Sequence, residues 1–130
     1  MAPGGRREAR ERALSLLYEA ESKGALPEAV LAELPVAPDE FAADLVRGVE
    51  GRAGEIDALI EKHSIGWALD RMPVLDRAIL RLATYELVAR ADVPTAVVLS
   101  EAVELAGSYS TDESGRFVNG VLASIAQEVR

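Results

Sequence analysis

The sequence predicts an all-α fold, a compact bundle of about six or seven helices. Three observations carry that expectation. The stretch Pro73–Arg90, PVLDRAILRLATYELVAR, is apolar on nearly every side at helical spacing, with Val74, Ala78 and Leu82 on one stripe and Leu75, Ile79 and Leu82 on the next. Such a helix belongs inside a domain, and at about 1.5 Å per residue it is roughly 27 Å long, the width of a small domain. No segment alternates convincingly at period 2, while apolar residues recur near period 3.6 on both sides of this stretch. Proline, glycine and capping signals divide the chain at helical lengths.

Glu8–Lys23 reads as an amphipathic helix with Ala9, Ala13, Leu16, Leu17 and Ala20 on one stripe, stopped by Gly24. Arg6 and Arg10 fall on a common side of it. Pro27–Leu34 reads as a short second helix with Val30, Leu31 and Leu34 inward, before a loop between Pro35 and Pro38. Asp39 opens a third, longer helix whose apolar face is Phe41, Leu45, Val49, Ile56, Leu59 and Ile60. Gly48, Gly51 and Gly54 weaken its middle by up to about 1 kcal/mol each, so a bend is expected there.

Ser64–Trp67 is a break, with Trp67 expected to plug a gap between helices, and Ala68–Arg71 is a helical turn. In the central helix Pro73 suits the first turn. Asp76, Arg77, Arg81, Thr84 and Glu86 are expected where the core meets the outside, and Glu86 and Arg90 are spaced to pair. Thr95–Ala106 is a helix with Val98, Ala102 and Leu105 inward, ended by Gly107. Ser110 and Glu113 form a capping box for a last helix from about Thr111 to Val129. Phe117, Val118, Val121, Leu122, Ile125 and Val129 face inward there, and Gly120 is expected to admit a neighbouring helix.

At 130 residues the chain is expected to form one domain, residues 1–130. An apolar content of 49% argues against disorder. With no cysteine, disulfides and thiolate metal sites are excluded. No apolar h-region follows Arg6 and Arg7, and no run approaches a membrane span, so the expected address is the cytoplasm with no membrane partner. The net charge of −8 argues against nucleic acid at face value. Its distribution says otherwise: residues 1–12 hold four arginines against two glutamates, on a body with ten basic and twenty acidic residues.

No catalytic or metal-binding constellation stands out. His63 is the only histidine and reads as a surface or capping residue near a helix end. Metal-ligand spacing and a glycine-rich phosphate loop are both missing, and Glu101 and Glu104 read as a solvated face. The chain therefore reads as a binding module, not an enzyme, with no cofactor and no metal.

Three stretches together resemble a known family. They are the opening GRREARERALSLLYEAE, the central helix with its exit DRAILRLATYELVARADVPTAVVLSEAVELA, and the capped final helix DESGRFVNGVLASI. They closely resemble the NusB family of bacterial transcription antitermination factors. The likeness spans nearly the whole chain and is weakest in residues 24–65. It implies two small helical subdomains packed together, which bind boxA-type single-stranded RNA of ribosomal RNA leaders. Binding would be shared with NusE, a small-subunit ribosomal protein, in a complex that lets RNA polymerase read through terminators. Some family members form homodimers that hide the RNA surface.

Residue by residue, the resemblance implies an RNA surface of Arg6, Arg7 and Arg10 with Ser114, Arg116 and Phe117. Guanidinium groups pair with phosphate in a bidentate fork and stack on unpaired bases, and the last helix's N-terminus offers N–H groups to a phosphate. Phe117 is either a stacking platform or a core residue, and Glu113 is explained by its capping role. Tyr18 and Asp76 match NusE-contact positions. Asp76 reads either as a partner-binding carboxylate or as a helix-start charge.

The chain departs from the family pattern where Glu8 interrupts the arginine run and where it reaches Arg130 without a basic tail. Weak, salt-sensitive RNA binding by the protein alone is expected. Two other readings stand beside this one. The first is an interaction domain like that attached to ribosomal RNA cytosine methyltransferases, although here there is no cysteine nucleophile. The second is a structural homodimer whose arginines make ion pairs.

Overall fold

The computed structural model describes residues 5–130. Among them are seven α-helices: α1 (Gly5–Lys23), α2 (Pro27–Ala32), α3 (Glu40–Gly51), α4 (Ala53–His63), α5 (Val74–Ala89), α6 (Thr95–Tyr109) and α7 (Asp112–Val129). A 3₁₀ turn, Leu69–Arg71, precedes α5, and no strand occurs among the described residues. Helices α1, α2 and α3 pack on one another, as do α5, α6 and α7, with α4 laid on α5 and α7. Both α1 and α3 also rest on α5, so the central helix joins the two groups. One apolar cluster runs through both, from Leu16, Leu45 and Val46 to Ile79, Leu80, Leu122 and Ile125, all nearly or wholly buried.

The apolar stripes place these faces as expected. Ala9, Ala13, Leu16, Leu17 and Ala20 are buried on α1, and Val98, Ala102 and Leu105 on α6. Gly24 ends α1 at φ +63°, a left-handed conformation glycine adopts without steric cost. Asp39 caps α3, its carboxylate accepting from the Phe41 and Ala42 amides at 2.9 and 3.4 Å.

Several boundaries differ from expectation. The long third helix is two helices, divided at Arg52, whose φ of −117° and ψ of 24° leave the helical range. Pro73 occupies the N-cap of α5 instead of its first turn. Helix α6 runs through Gly107 to Tyr109, because nothing there forces a left-handed residue. The cap of α7 is Thr111, whose side chain accepts from the Ser114 amide at 3.0 Å, and Ser110 instead sits beside the Ser114 hydroxyl at 2.9 Å. No atom lies within 4 Å of where a Gly120 Cβ would sit. The α6–α7 approach is at Gly115, whose Cβ would meet Val103 at 3.5 Å.

The expectation for the polar residues of α5 fails most clearly. Asp76, Arg77, Thr84 and Glu86 are all buried. Arg77 donates to the Leu69 and Met72 carbonyls and pairs with Glu21. Arg81, half-buried, forks onto Asp57 of α4 at 2.8 and 3.0 Å. Glu86 does not pair with Arg90; it turns inward to Arg10, and Arg90 turns to Asp92 and Asp44. Trp67 plugs no gap: it is half-exposed and packs on Phe117, ring centroids 5.9 Å apart at 54°.

Candidate nucleic-acid interface

The first turns of α1 carry the arginines. Arg6 and Arg7 keep solvent contact, with side chains 38% and 58% exposed. Arg10 lies one helical turn after Arg6 and Arg7, and its i+3, i+4 and i+7 neighbours Ala13, Leu14 and Leu17 are buried. It is therefore turned inward and 4% exposed, which removes its guanidinium from the surface expected of it.

Carboxylates meet every one of these cations. Arg7 forks onto Glu101 of α6, Nε and Nη2 donating at 3.1 and 2.6 Å. Arg10 forks onto Glu86 at 2.9 and 2.8 Å, with Nη1 3.5 Å from Glu101. Arg6 donates to Asp92 at 3.0 Å, and Arg90 forks onto the same Asp92 while reaching Asp44 at 3.1 Å. Hydrogen bonds from Arg90 and then Arg6 hold the Asp92 carboxyl at about 2. Those from Arg7 hold Glu101 below its ordinary value. Glu101 is thus no free solvated acid, and only 13% of its side chain is exposed.

Phe41 organises the group from beneath. Its buried ring has the guanidinium carbons of Arg6, Arg90 and Arg10 at 4.5, 4.9 and 5.3 Å from its centroid. Each is within reach of the ring's negative face. The sequence offered Phe41 only as a core residue, since nothing local signals that α1 and α5 converge on it.

A second group surrounds the start of α7. Ser114 is buried and donates its hydroxyl to Asp76 Oδ2 at 2.9 Å. Asp76 is 4% exposed, so it is no surface helix-start charge, and its Oδ1 is buried without a hydrogen-bond partner. An open pocket of about 300 Å³ is walled by Trp67, Pro73, Asp76, Thr111, Glu113 and Phe117. Phe117 is half-buried, so it is neither a full core residue nor a free platform. Arg116 is exposed and makes no ion pair among the described residues. The expected phosphate site at this helix start is weakened by Asp112 and Glu113 in the first turn, with Thr111 already accepting from the Ser114 amide. Tyr18 is 47% exposed on α1.

No hydrogen bond or ion pair among the described residues joins Arg6, Arg7 or Arg10 to Ser114, Arg116 or Phe117. Helix α6 connects the two groups, with Glu101 under Arg7 and the Tyr109 hydroxyl donating to Glu11 at 2.8 Å. His63 bridges Ser124 at 2.6 Å and Glu128 at 2.8 Å, tying α4 to α7. Among the described residues no group of three or more His, Cys, Asp or Glu is placed to hold a metal, and no helix is long and apolar enough to cross a membrane.

A family model described as the NusB family matches residues 7–127. The chain is 48% identical over 126 residues to the transcription antitermination protein NusB of Kineococcus radiotolerans, covering 94% of this chain and 93% of that one. It is 51% identical over 124 residues to the protein of that name from Acidothermus cellulolyticus, covering 92% and 86%. Among solved structures, T. maritima NusB superposes with a TM-score of 0.85 at 37% identity, covering 95% of this chain and 91% of that one. A structure of antitermination factors NusB and NusE in complex with dsRNA gives a TM-score of 0.81 at 30% identity, covering 97% and 98%.

Proposed function

The chain belongs to the NusB family, and from that premise we propose that it is a non-catalytic transcription antitermination factor that binds boxA-type single-stranded RNA of ribosomal RNA leaders together with NusE. The bound pair then joins the RNA polymerase antitermination complex in the cytoplasm. The observation that carries this reading is the pair of solvent-facing arginines, Arg6 and Arg7, on the first turn of α1. It is supported by relatives named as antitermination proteins and by a similar structure that contains NusE and RNA.

In this reading Arg6 and Arg7 contact phosphates, while Arg10 holds the helix that presents them. Arg116 supplies a further charge, and Phe117, with Trp67 beside it, offers an aromatic edge for an unpaired base. Ser114 acts from within by orienting Asp76. Tyr18 belongs to the NusE side, whereas Asp76, 4% exposed and bound by Ser114, offers a partner no surface charge and acts from within.

The test is a titration of labelled boxA-like RNA at physiological salt, with and without NusE, using single-stranded and duplex forms. NusE should tighten binding strongly, and the single strand should win. Equal affinity with and without NusE counts against the reading. Tyr18→Asp should abolish the NusE-dependent gain, because Tyr18 is half-exposed and makes no hydrogen bond among the described residues that its loss would break.

A further inference from the structure

The arginine face is electrically cancelled. Four guanidinium groups, Arg6, Arg7, Arg10 and Arg90, converge around the buried Phe41 ring and Glu101. Four carboxylates, Asp44, Glu86, Asp92 and Glu101, pair with them. The two sets balance, so a cluster that reads as strongly basic in sequence carries no net charge in the fold. The inner pair, Arg10 with Glu86, is buried and is part of the scaffold. Asp44 is shared with the Tyr85 hydroxyl, which donates to it at 2.8 Å, and so also serves packing.

Asp92 and Glu101 are different. They meet the two arginines that face solvent: Glu101 takes from Arg7 the fork a phosphate would take, and Asp92 accepts one hydrogen bond from Arg6 beside the fork it takes from Arg90. We propose that Asp92 and Glu101 are internal stand-ins for phosphate that set the RNA affinity of this surface. They hold Arg6 and Arg7 in place while withholding their charge. A bound strand must compete with both carboxylates for the same donors, so a few isolated phosphates gain little here. An RNA held additionally by a protein partner gains enough to displace them. The proposal rests on the RNA-binding reading above and assigns to that site the residues that tune it.

The experiment compares the wild type with the double variant Asp92→Asn, Glu101→Gln. The control is a double variant with the same net charge, Glu33→Gln, Glu61→Gln, at exposed positions on α4 and just after α2 that make no ion pair among the described residues. Each is titrated with single-stranded boxA-like RNA across a salt series and also eluted from heparin with salt, after circular dichroism has established that it is folded. The Asp92, Glu101 variant should bind the RNA roughly tenfold more tightly than the control. The slope of log affinity against log salt should steepen by up to about 1.4, for two freed cations on a single strand. RNA binding by all three proteins with the same affinity and slope for the variant and the control overturns the proposal. RNA binding by none overturns the RNA reading instead. Heparin then decides the charge argument: later elution of the Asp92, Glu101 variant than of the control upholds it, and equal elution rejects it.

Discussion

Arg10 of α1 and Glu86 of α5 grip each other through two hydrogen bonds of 2.9 and 2.8 Å, with side chains only 5% and 3% exposed. The pair bridges the two helical groups beneath the arginine face. Removing one partner strands the other charge away from water. Arg10→Ala or Glu86→Ala should each cost about 3–5 kcal/mol in urea unfolding. The double change Arg10→Met, Glu86→Leu should cost far less than either single one. Equal losses for single and double variants would refute this account.

Gly48 of α3 is required by Tyr85 of α5. A Cβ on residue 48 would lie 2.1 Å from the Tyr85 ring, and that ring is itself held by its hydroxyl bond to Asp44. Gly48→Ala should therefore destabilise by about 1–3 kcal/mol through overpacking. At Gly51 nothing lies within 4 Å and the backbone is helical. Gly51→Ala should stabilise by about 0.4–1 kcal/mol, because alanine restricts the unfolded chain. Thermal melts of the two variants should move in opposite directions.

Asp92 makes stability depend on pH in acid. Its folded value of about 2 lies below its ordinary one, so the unfolded chain takes up the proton first as pH falls. Its contribution is present above the unfolded value and fades between about pH 4 and pH 2. Melting temperatures of the wild type and Asp92→Asn should differ by a constant amount near neutrality and converge toward pH 2. A gap that stays open at pH 2 would assign the effect to something other than this carboxylate's charge.

Arg130 closes the end of α5. Its guanidinium donates to the carbonyls of Glu86, Leu87, Arg90 and Val93 and to the Thr95 hydroxyl, at 2.7–3.1 Å. The Glu86 and Arg90 carbonyls also accept from the Arg90 and Val93 amides, whereas the Leu87 carbonyl, in the last turn of α5, has no partner within the helix and this fork supplies one. Arg130→Ala should cost about 1–3 kcal/mol. Arg130→Lys should recover only a minor part, since a single ammonium cannot reach acceptors spread on several sides. Full rescue by lysine in urea unfolding would show that charge alone matters there.

Helix identity was decided within the sequence. The 3.6-residue recurrence on α1, α5, α6 and α7 needs only neighbours three and four apart; the faces read on α1 and α6 are buried throughout, while Val74, Leu75 and Val88 on α5 and Phe117 and Val129 on α7 are half-buried. The family signature in residues 76–86, Val93-Pro94 and residues 117–120 was equally local. The partnership of charges was not. Arg10 pairs across 76 positions, Arg7 across 94 and Arg6 across 86, and no local pattern encodes which carboxylate the fold delivers. Glu86 had a plausible partner four residues on in Arg90, and tertiary packing supplied Arg10 instead. The spacing of Arg10 ahead of Ala13, Leu14 and Leu17 was the one legible sign that it turns inward. Asp76 likewise reads locally as a partner-binding carboxylate or a helix-start charge, both at the surface, and only the packing of Ser114 of α7 over it makes it buried. The sequence by itself determined which segments are helical and which of their faces turn inward, because backbone periodicity and apolar burial are local and additive along the chain. Only the tertiary structure decided which arginines keep their charge for a ligand, because that depends on which acids are folded against them.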